Sequence, residues 1–205
     1  MSRWVLLSLM VLLLSGCALQ RQVPGTSVAW DQRRAELSAL SDWDLNARLA
    51  VKSADQGGQG RLDWQQRAAE ARLNVSGPFG MGAYEIRFNA DEILVTDGNG
   101  EVTAAYTGAD AADRFLQSQL GWSFPAISSR YWLLGVPAPG LPYRERFDDE
   151  GWLVAIEQQG WSVRYDGFKQ HQDIWLPRKL SLENASGRLR LVVDKFSAMA
   201  GAGGP

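Results

Sequence analysis

The chain of 205 residues contains one cysteine and one histidine. A lone cysteine excludes an internal disulfide framework and any multi-cysteine zinc or iron–sulfur site. A lone histidine excludes most histidine-rich metal sites and leaves imidazole catalysis to His171 alone. Neither sign of charge dominates: 21 Lys+Arg stand against 23 Asp+Glu, for a formal charge of −2. No basic footprint for nucleic acid follows from that balance. No run approaches the about 20 consecutive apolar residues of a membrane-spanning helix. A G-x-S-x-G elbow, a nucleotide-binding motif and a calcium-type acidic loop are all missing, as is any repeat of fixed period. Neither a metal nor a cofactor is expected. What is abundant is bulk apolar surface, with nine Trp and 45% hydrophobic residues. Many large apolar side chains and little catalytic equipment point to a protein that binds.

The amino terminus reads as an export address. Arg3 precedes the apolar run Trp4 to Leu14, broken only by Ser8. Its length and flanks suit a secretory signal. Leu14-Ser15-Gly16-Cys17 follows, and it resembles the bacterial lipoprotein signal, in which the cysteine is acylated and becomes the first residue after cleavage. The only cysteine of the chain falls at that position; the alternative is an ordinary signal with an incidental thiol. Ala18 in place of Asp after the cysteine implies, by the same resemblance, transfer to the outer membrane. The expected organisation is a signal over 1–16, a lipidated terminus and flexible tether over 17–29, a folded domain over 30–197 and a disordered tail over 198–205. A dozen extended residues span at most about 40 Å, so the domain stays close to the membrane that holds Cys17.

The folded region reads as mostly β (α+β). Trp30 to Leu40 has the spacing of a helix, in which Arg33-Arg34 is a weak candidate for anionic head groups. From Trp43 onward the period changes to two: Trp43, Leu45, Ala47, Leu49 and Val51 alternate with polar residues, and Gly57-Gly58 ends that strand. Leu62 with Trp64, Leu73 with Val75, and Tyr84, Ile86 and Phe88 continue the alternation. Asp97-Gly98-Asn99-Gly100 marks a hairpin between Ile93 to Thr96 and Val102 to Tyr106. Two helices interrupt the pattern, one beginning after Asp110, with apolar positions Ala111, Phe115, Leu116 and Leu120, and ending at Gly121, the other over Ile127 to Leu134. The second is apolar nearly all round and must be covered. Strands resume at Tyr143 to Phe147, Trp152 to Glu157, Trp161 to Phe168, Leu180 to Glu183 and Arg188 to Val193. About eleven strands with one apolar and one polar face curl into a barrel or a sandwich, and an incompletely closed antiparallel barrel with helices over its mouth is the better fit. Outward charges such as Arg48, Arg87 and Arg190 deny the strands the lipid-facing band of a membrane barrel.

Three features carry possible chemistry. His171 lies in a polar loop between strands, Phe168 to Asp173, with no nucleophile that the sequence assigns to it. Asp148-Asp149-Glu150 precedes Gly151 and reads as a solvated turn. Pro78, Phe79, Gly80 and Met81 form a loop between two alternating strands, with apolar side chains where a loop ordinarily meets water. Phe79 either folds back into the core or stands out as a membrane-insertion residue.

Together, the signal, the segment Trp30 to Ala47, the loop Gly77-Pro78-Phe79-Gly80 and the run Arg130 to Pro137 resemble the LolB family of outer-membrane lipoprotein receptors. The resemblance extends from the signal to about Phe196. It implies an open barrel of eleven antiparallel strands with a helical lid over an apolar cavity, and no enzymatic activity. The implied activity is acceptance of acylated lipoproteins from a soluble periplasmic, LolA-like carrier and their insertion into the inner leaflet of the outer membrane. The partners implied are carrier, cargo and outer-membrane phospholipid, with the protein acting as a monomer and facing the periplasm. The family carries Leu in an Asn-Pro-Leu-Gly loop; here Phe79 is the tip and Gly77 replaces Asn. Candidates for the acyl-binding wall are Leu45, Leu49, Trp64, Leu73, Val75, Ile86 and Phe88 from the strands, with Trp132 and Leu133 from the lid. The alternatives are a scaffolding lipoprotein whose same residues pack a solid core, and an envelope lipid hydrolase using His171.

Overall fold

A computed structural model describes residues 27–53, 57–77, 82–121, 123–172 and 174–199. Cys17 and the loop residues Pro78, Phe79, Gly80 and Met81 lie outside them, as do the signal and the end of the tail.

Eleven strands form one antiparallel sheet: β1 (Asp42–Ser53), β2 (Gly57–Arg67), β3 (Glu70–Ser76), β4 (Tyr84–Phe88), β5 (Glu92–Asp97), β6 (Val102–Thr107), β7 (Tyr143–Phe147), β8 (Leu153–Gln158), β9 (Trp161–Tyr165), β12 (Lys179–Glu183) and β13 (Gly187–Ala198). Their spatial order is β6-β5-β4-β3-β2-β1-β13-β12-β9-β8-β7, with β6 and β7 as the two edges. The sheet does not close, as expected of an open barrel. All eleven strands coincide with the alternating segments of the sequence. Helices are α1 (Ser27–Ser38), α2 (Ala111–Leu120) and α3 (Ala126–Leu133).

Two expectations are corrected. Gly57-Gly58 does not end a strand; it opens β2, pairing with Lys52 and Val51 of β1. His171 is not in a loop. Phe168–His171 (β10) and Ile174–Pro177 (β11) form a separate two-stranded hairpin. Its strands are too short for alternation to show, and Pro177 at the end of β11 is a residue that ordinarily argues against a strand.

Aromatic side chains fill one end of the barrel. Trp43, fully buried, packs 5.6 Å from Trp64 and 5.8 Å from Phe196, and Trp64 meets Phe88 edge-on at 6.1 Å. A second cluster seats the hairpin: Phe168 stacks on Trp152 at 5.2 Å, and Trp175 meets Trp152 edge-on at 5.6 Å. The helix α1 spans from this cluster to β7. Trp30 packs edge-on against Phe147 at 5.2 Å and donates from Nε1 to Glu145 at 3.2 Å. Arg33 donates to the Trp175 carbonyl, with its guanidinium over the rings of Trp30 and Phe168. Burial lowers its pKa to about 10, opposed by Glu36. Arg34 binds Glu145 and Asp31. These two arginines hold the helix to the protein, which explains their place on it.

One side chain fixes α3. The Gln158 carbonyl accepts from Trp132 Nε1 and from the Ala138 amide, both at 2.8 Å, and its Nε2 donates to the Ala138 carbonyl at 2.9 Å. Tyr165 donates to the Trp132 carbonyl at 3.1 Å. After α3 the chain turns at Gly135, whose φ of +76° favours glycine and where a Cβ would crowd the Pro177 ring at 3.0 Å. Replacing Gln158 by Leu orphans two buried donors and one acceptor, and each such loss costs about 1–3 kcal/mol. Gln158→Leu is therefore expected to lower unfolding stability by about 3 kcal/mol, read as a fall in the urea midpoint with little change in slope.

Candidate binding cavity

The concave face of the sheet follows from strand register. On β2, Leu62, Trp64 and Gln66 are buried and the residues between them are exposed. Cross-strand partners carry the same face into neighbouring strands: Trp64 lies opposite Leu45 and Leu73, Leu73 opposite Ile86, and Ile86 opposite Val95. Inward side chains thus form rows across the sheet. The aromatic cluster fills the rows at one end. Towards the other end the rows are aliphatic, and they leave a cavity of about 530 Å³. That volume falls within the roughly 300–1,000 Å³ of pockets that enclose small molecules.

Of the nine wall candidates read from the sequence, seven line this space: Leu49, Trp64, Leu73, Val75, Ile86, Phe88 and Leu133. Two do not. Leu45 is buried opposite both Trp64 and Phe196, at the filled end. Trp132 faces away from the cavity, towards Gln158. Adjacent residues of a helix project about 100° apart, and here Leu133 is the one turned inward. Phe115 and Leu116 of α2, with Phe124 and Ala126 at the start of α3, complete the cover. The sequence marked Phe115 and Leu116 as the apolar face of a helix; nothing local said which surface that face would cover. Leu182, Leu189 and Leu191 add a wall from β12 and β13.

The interior is apolar in effect as well as in composition. Its hydroxyls are turned to nearby backbone, Ser129 donating to Ala126 at 2.6 Å and Thr103 to Val95 at 3.3 Å. Among the described residues no Asp, Glu, Lys, Arg or His lines it. Tyr84, 44% exposed, and Gln119 are the polar groups at its margin. Such a site recognises a ligand by apolar area, at about 25 cal/mol per Å² buried, and not by charge. A solid core in place of this space, one of the alternatives above, is not what the strands build.

His171 lies outside the cavity. It is buried on β10, edge-on to Phe196 at 6.3 Å, and its Nε2 has no hydrogen-bond partner among the described residues. Asp148 caps its own turn, accepting from the amides of Glu150 and Trp152 at 3.1 and 2.7 Å. Among the described residues no cluster of three or more metal-binding side chains occurs.

Comparison with known proteins places the fold in a family. The profile of the family described as outer membrane lipoprotein LolB matches residues 41–196. The chain is 36% identical over 202 residues to the outer-membrane lipoprotein LolB of Nitrosococcus oceani, covering 95% of this chain and 98% of that one. The chain belongs to the LolB family. A second LolB, from Stutzerimonas stutzeri, is 29% identical, with 91% of each chain covered. Among solved structures, a LolA superfamily protein from Nitrosomonas europaea shares the fold at a TM-score of 0.56 and 10% identity, over 83% of this chain and 93% of that one. LolB proteins are outer-membrane lipoproteins of the lipoprotein localisation system; the family is a transport receptor and not an enzyme. The resemblance read from the sequence is borne out, and with it the open antiparallel fold and the assignment to lipoprotein localisation at the outer membrane. No described helix is long and apolar enough to cross a membrane.

The isolated His171 carries a pH prediction. Burial chiefly, and then Lys169, lowers its pKa below the ordinary value of 6.5. The folded state therefore favours the neutral ring, whereas the unfolded chain takes up a proton near pH 6.5. The stabilisation is present above that pH and is lost as pH falls through it towards the depressed folded value. His171→Leu is expected to flatten the decline of stability between about pH 7 and 5 without changing the cavity, measured by urea unfolding across that range.

Proposed function

We propose that the chain receives acylated lipoproteins from a soluble, LolA-like periplasmic carrier, shelters acyl chain in the apolar cavity, and delivers the cargo to the inner leaflet of the outer membrane. The observation that carries this reading is the apolar, uncharged cavity under α2 and α3. Each methylene buried is worth about 0.8 kcal/mol, so a chain of about 16 carbons costs on the order of 10 kcal/mol to expose to water. A lipoprotein crossing an aqueous space must keep that surface covered throughout. A cavity that binds by area suits cargo of varied polypeptide sequence, because the shared element is the lipid. Direction then comes from differences in affinity between carrier, receptor and membrane, since a ligand moves only as far as differential binding allows. The family membership and the open-barrel fold support the reading.

Cys17 is the proposed lipid attachment site, with residues 1–16 removed as the signal and the domain held on a short tether facing the periplasm. Pro78, Phe79, Gly80 and Met81 are the proposed membrane-insertion loop. A phenyl ring transferred fully into an apolar phase gains about 1.5–3 kcal/mol, enough to perturb a lipid interface and too little to anchor a protein. Neither a cofactor nor a second copy of the chain is required.

Two experiments test this. The chain carrying Cys17→Ser, purified without acyl groups, is expected to take up a fluorescent fatty acid of palmitoyl length. Leu73→Glu, which puts a carboxylate into the wall, should weaken that uptake at least about tenfold, because burying an unpaired charge costs well over 1.4 kcal/mol. Failure of the parent chain to bind the probe, or to take lipoprotein from the carrier, sinks the reading. Phe79→Glu is expected to leave uptake from the carrier intact and slow transfer to liposomes; impaired uptake with normal transfer contradicts the role given to the loop.

A further inference from the structure

The outer face of the sheet, away from the cavity, is not evenly charged. Strand register carries outward side chains across it in rows, as it does the inward ones. One row runs Arg146, Ala155, Arg164, Ser181 and Arg190, from β7 to β13. It sets three arginines on alternate strands, with only small side chains between them and no carboxylate. The row on one side of it includes Arg144 and Arg188, and the row on the other includes Arg48 and Lys179. Followed across every strand they reach, the three rows hold nine basic residues against two carboxylates, Glu157 and Glu183. The whole chain has 21 against 23. The rows towards the other end of β1 carry Asp44, Asp63 and Glu85 and show no such surplus.

Pairing within the protein leaves this charge largely uncompensated. Glu183 is shared by Arg164 and Arg188, while Arg48 binds Asp194 and Lys179 binds Asp166. Arg144, Arg146 and Arg190 are exposed, and among the described residues none of them has an ion pair. Arg48 and Arg61 stand directly opposite each other, a placement that destabilises a sheet. Arg72 and Arg87 are opposed in the same way, but there Glu85 lies between them, 3.9 and 2.6 Å from the two guanidinium groups. A cost left standing in one place and relieved in another points to anions supplied from outside the chain.

We infer that these rows dock the domain on the anionic head groups of a phospholipid surface. The charge is spread and not gathered into a site: arginines on alternate strands lie about 10 Å apart, so the central row extends over about 20 Å. Repeating phosphates match that spread. A protein partner is ordinarily centred on buried aromatic or aliphatic anchors, and among the described residues these rows present no exposed large apolar side chain. The inference rests on the reading that the domain delivers cargo to a membrane, and does not depend on what fills the cavity. β3 ends at Ser76, opposite Arg61 in the row of Arg48, and from there the chain leads to the proposed insertion loop.

The test is co-flotation of the chain carrying Cys17→Ser with vesicles of phosphatidylglycerol and phosphatidylcholine in equal parts, and with phosphatidylcholine alone. Binding is expected to favour the anionic vesicles and to weaken as salt rises. Arg146→Gln combined with Arg190→Gln should weaken it at least about tenfold, since each basic side chain at an anionic surface is worth about fivefold. Melting temperature should not move, because neither side chain has a partner to lose. Arg72→Gln combined with Arg87→Gln removes the same charge from the other end of the face and should change binding little. Equal binding to both kinds of vesicle overturns the inference, as do equal losses in the two double variants. Parent-like vesicle binding by Arg146→Gln with Arg190→Gln also overturns it, and slower uptake from the carrier in that variant would then give the face to an acidic protein. Failure to bind the fatty acid, with vesicle binding as expected, sinks the acyl reading alone and upholds this one.

Discussion

The constraint on which the molecule depends is the burial of one long apolar face. A sheet of eleven antiparallel strands that does not close must cover its concave side with something other than itself. At one end, indole and phenyl rings do so, with Trp43, Trp64, Phe88 and Phe196 in mutual contact. At the other end the inward residues are mostly leucine, valine and isoleucine, and they leave the chamber open. Two short helices roof the gap without filling it. The same alternating strands thus build a packed core and an empty chamber, and the distinction lies in the size of the inward residue at each row.

The two helices of the roof are held differently. The C-terminal turn of α3 is tied by Gln158 and Tyr165 to strands β8 and β9, and Arg130 donates to the Ala68 carbonyl in the β2–β3 turn. α2 lies against β5 and β6 through Phe115 and Tyr106, with a long hydroxyl contact between Tyr106 and Ser118 at 3.5 Å. One helix is pinned by buried hydrogen bonds, and the other rests on apolar contact with the cavity it covers and on exposed Arg114, which donates to the Thr107 carbonyl and lies over the Tyr106 ring. Polar ties are directional and apolar ones are not, so a ligand that replaces the apolar contacts of α2 costs the fold little.

Much of this is legible in the sequence. Half-buried strands write their two faces into the sequence with period two, and that period located all eleven strands of the sheet and seven wall residues. The failures have physical causes. Leu45 and Leu49 share a strand and a face, and nothing local separates them; the difference is that Trp64 and Phe196 stand opposite Leu45. Trp132 is another matter: it neighbours Leu133 on an apolar helix, and the Gln158 carbonyl that draws its indole away stands 26 positions along the chain. The β10–β11 hairpin was missed because four residues are too few for a period to show. The docking of Arg33 among Trp30, Phe168 and Trp175 joins residues some 142 positions apart in the chain, a pairing no window of sequence contains.

The open sheet has one further consequence. Its edges, β6 and β7, are strands with one partner each, and an exposed edge invites pairing with another chain. α2 lies against β6. On β7, Arg144 and Arg146 flank Glu145, both exposed, and α1 reaches over from the other side to hold Glu145 and Phe147. Charge and a covering helix are the ordinary devices by which strand edges resist stacking into fibrils. A sheet left open is thereby guarded against admitting a neighbour's strand.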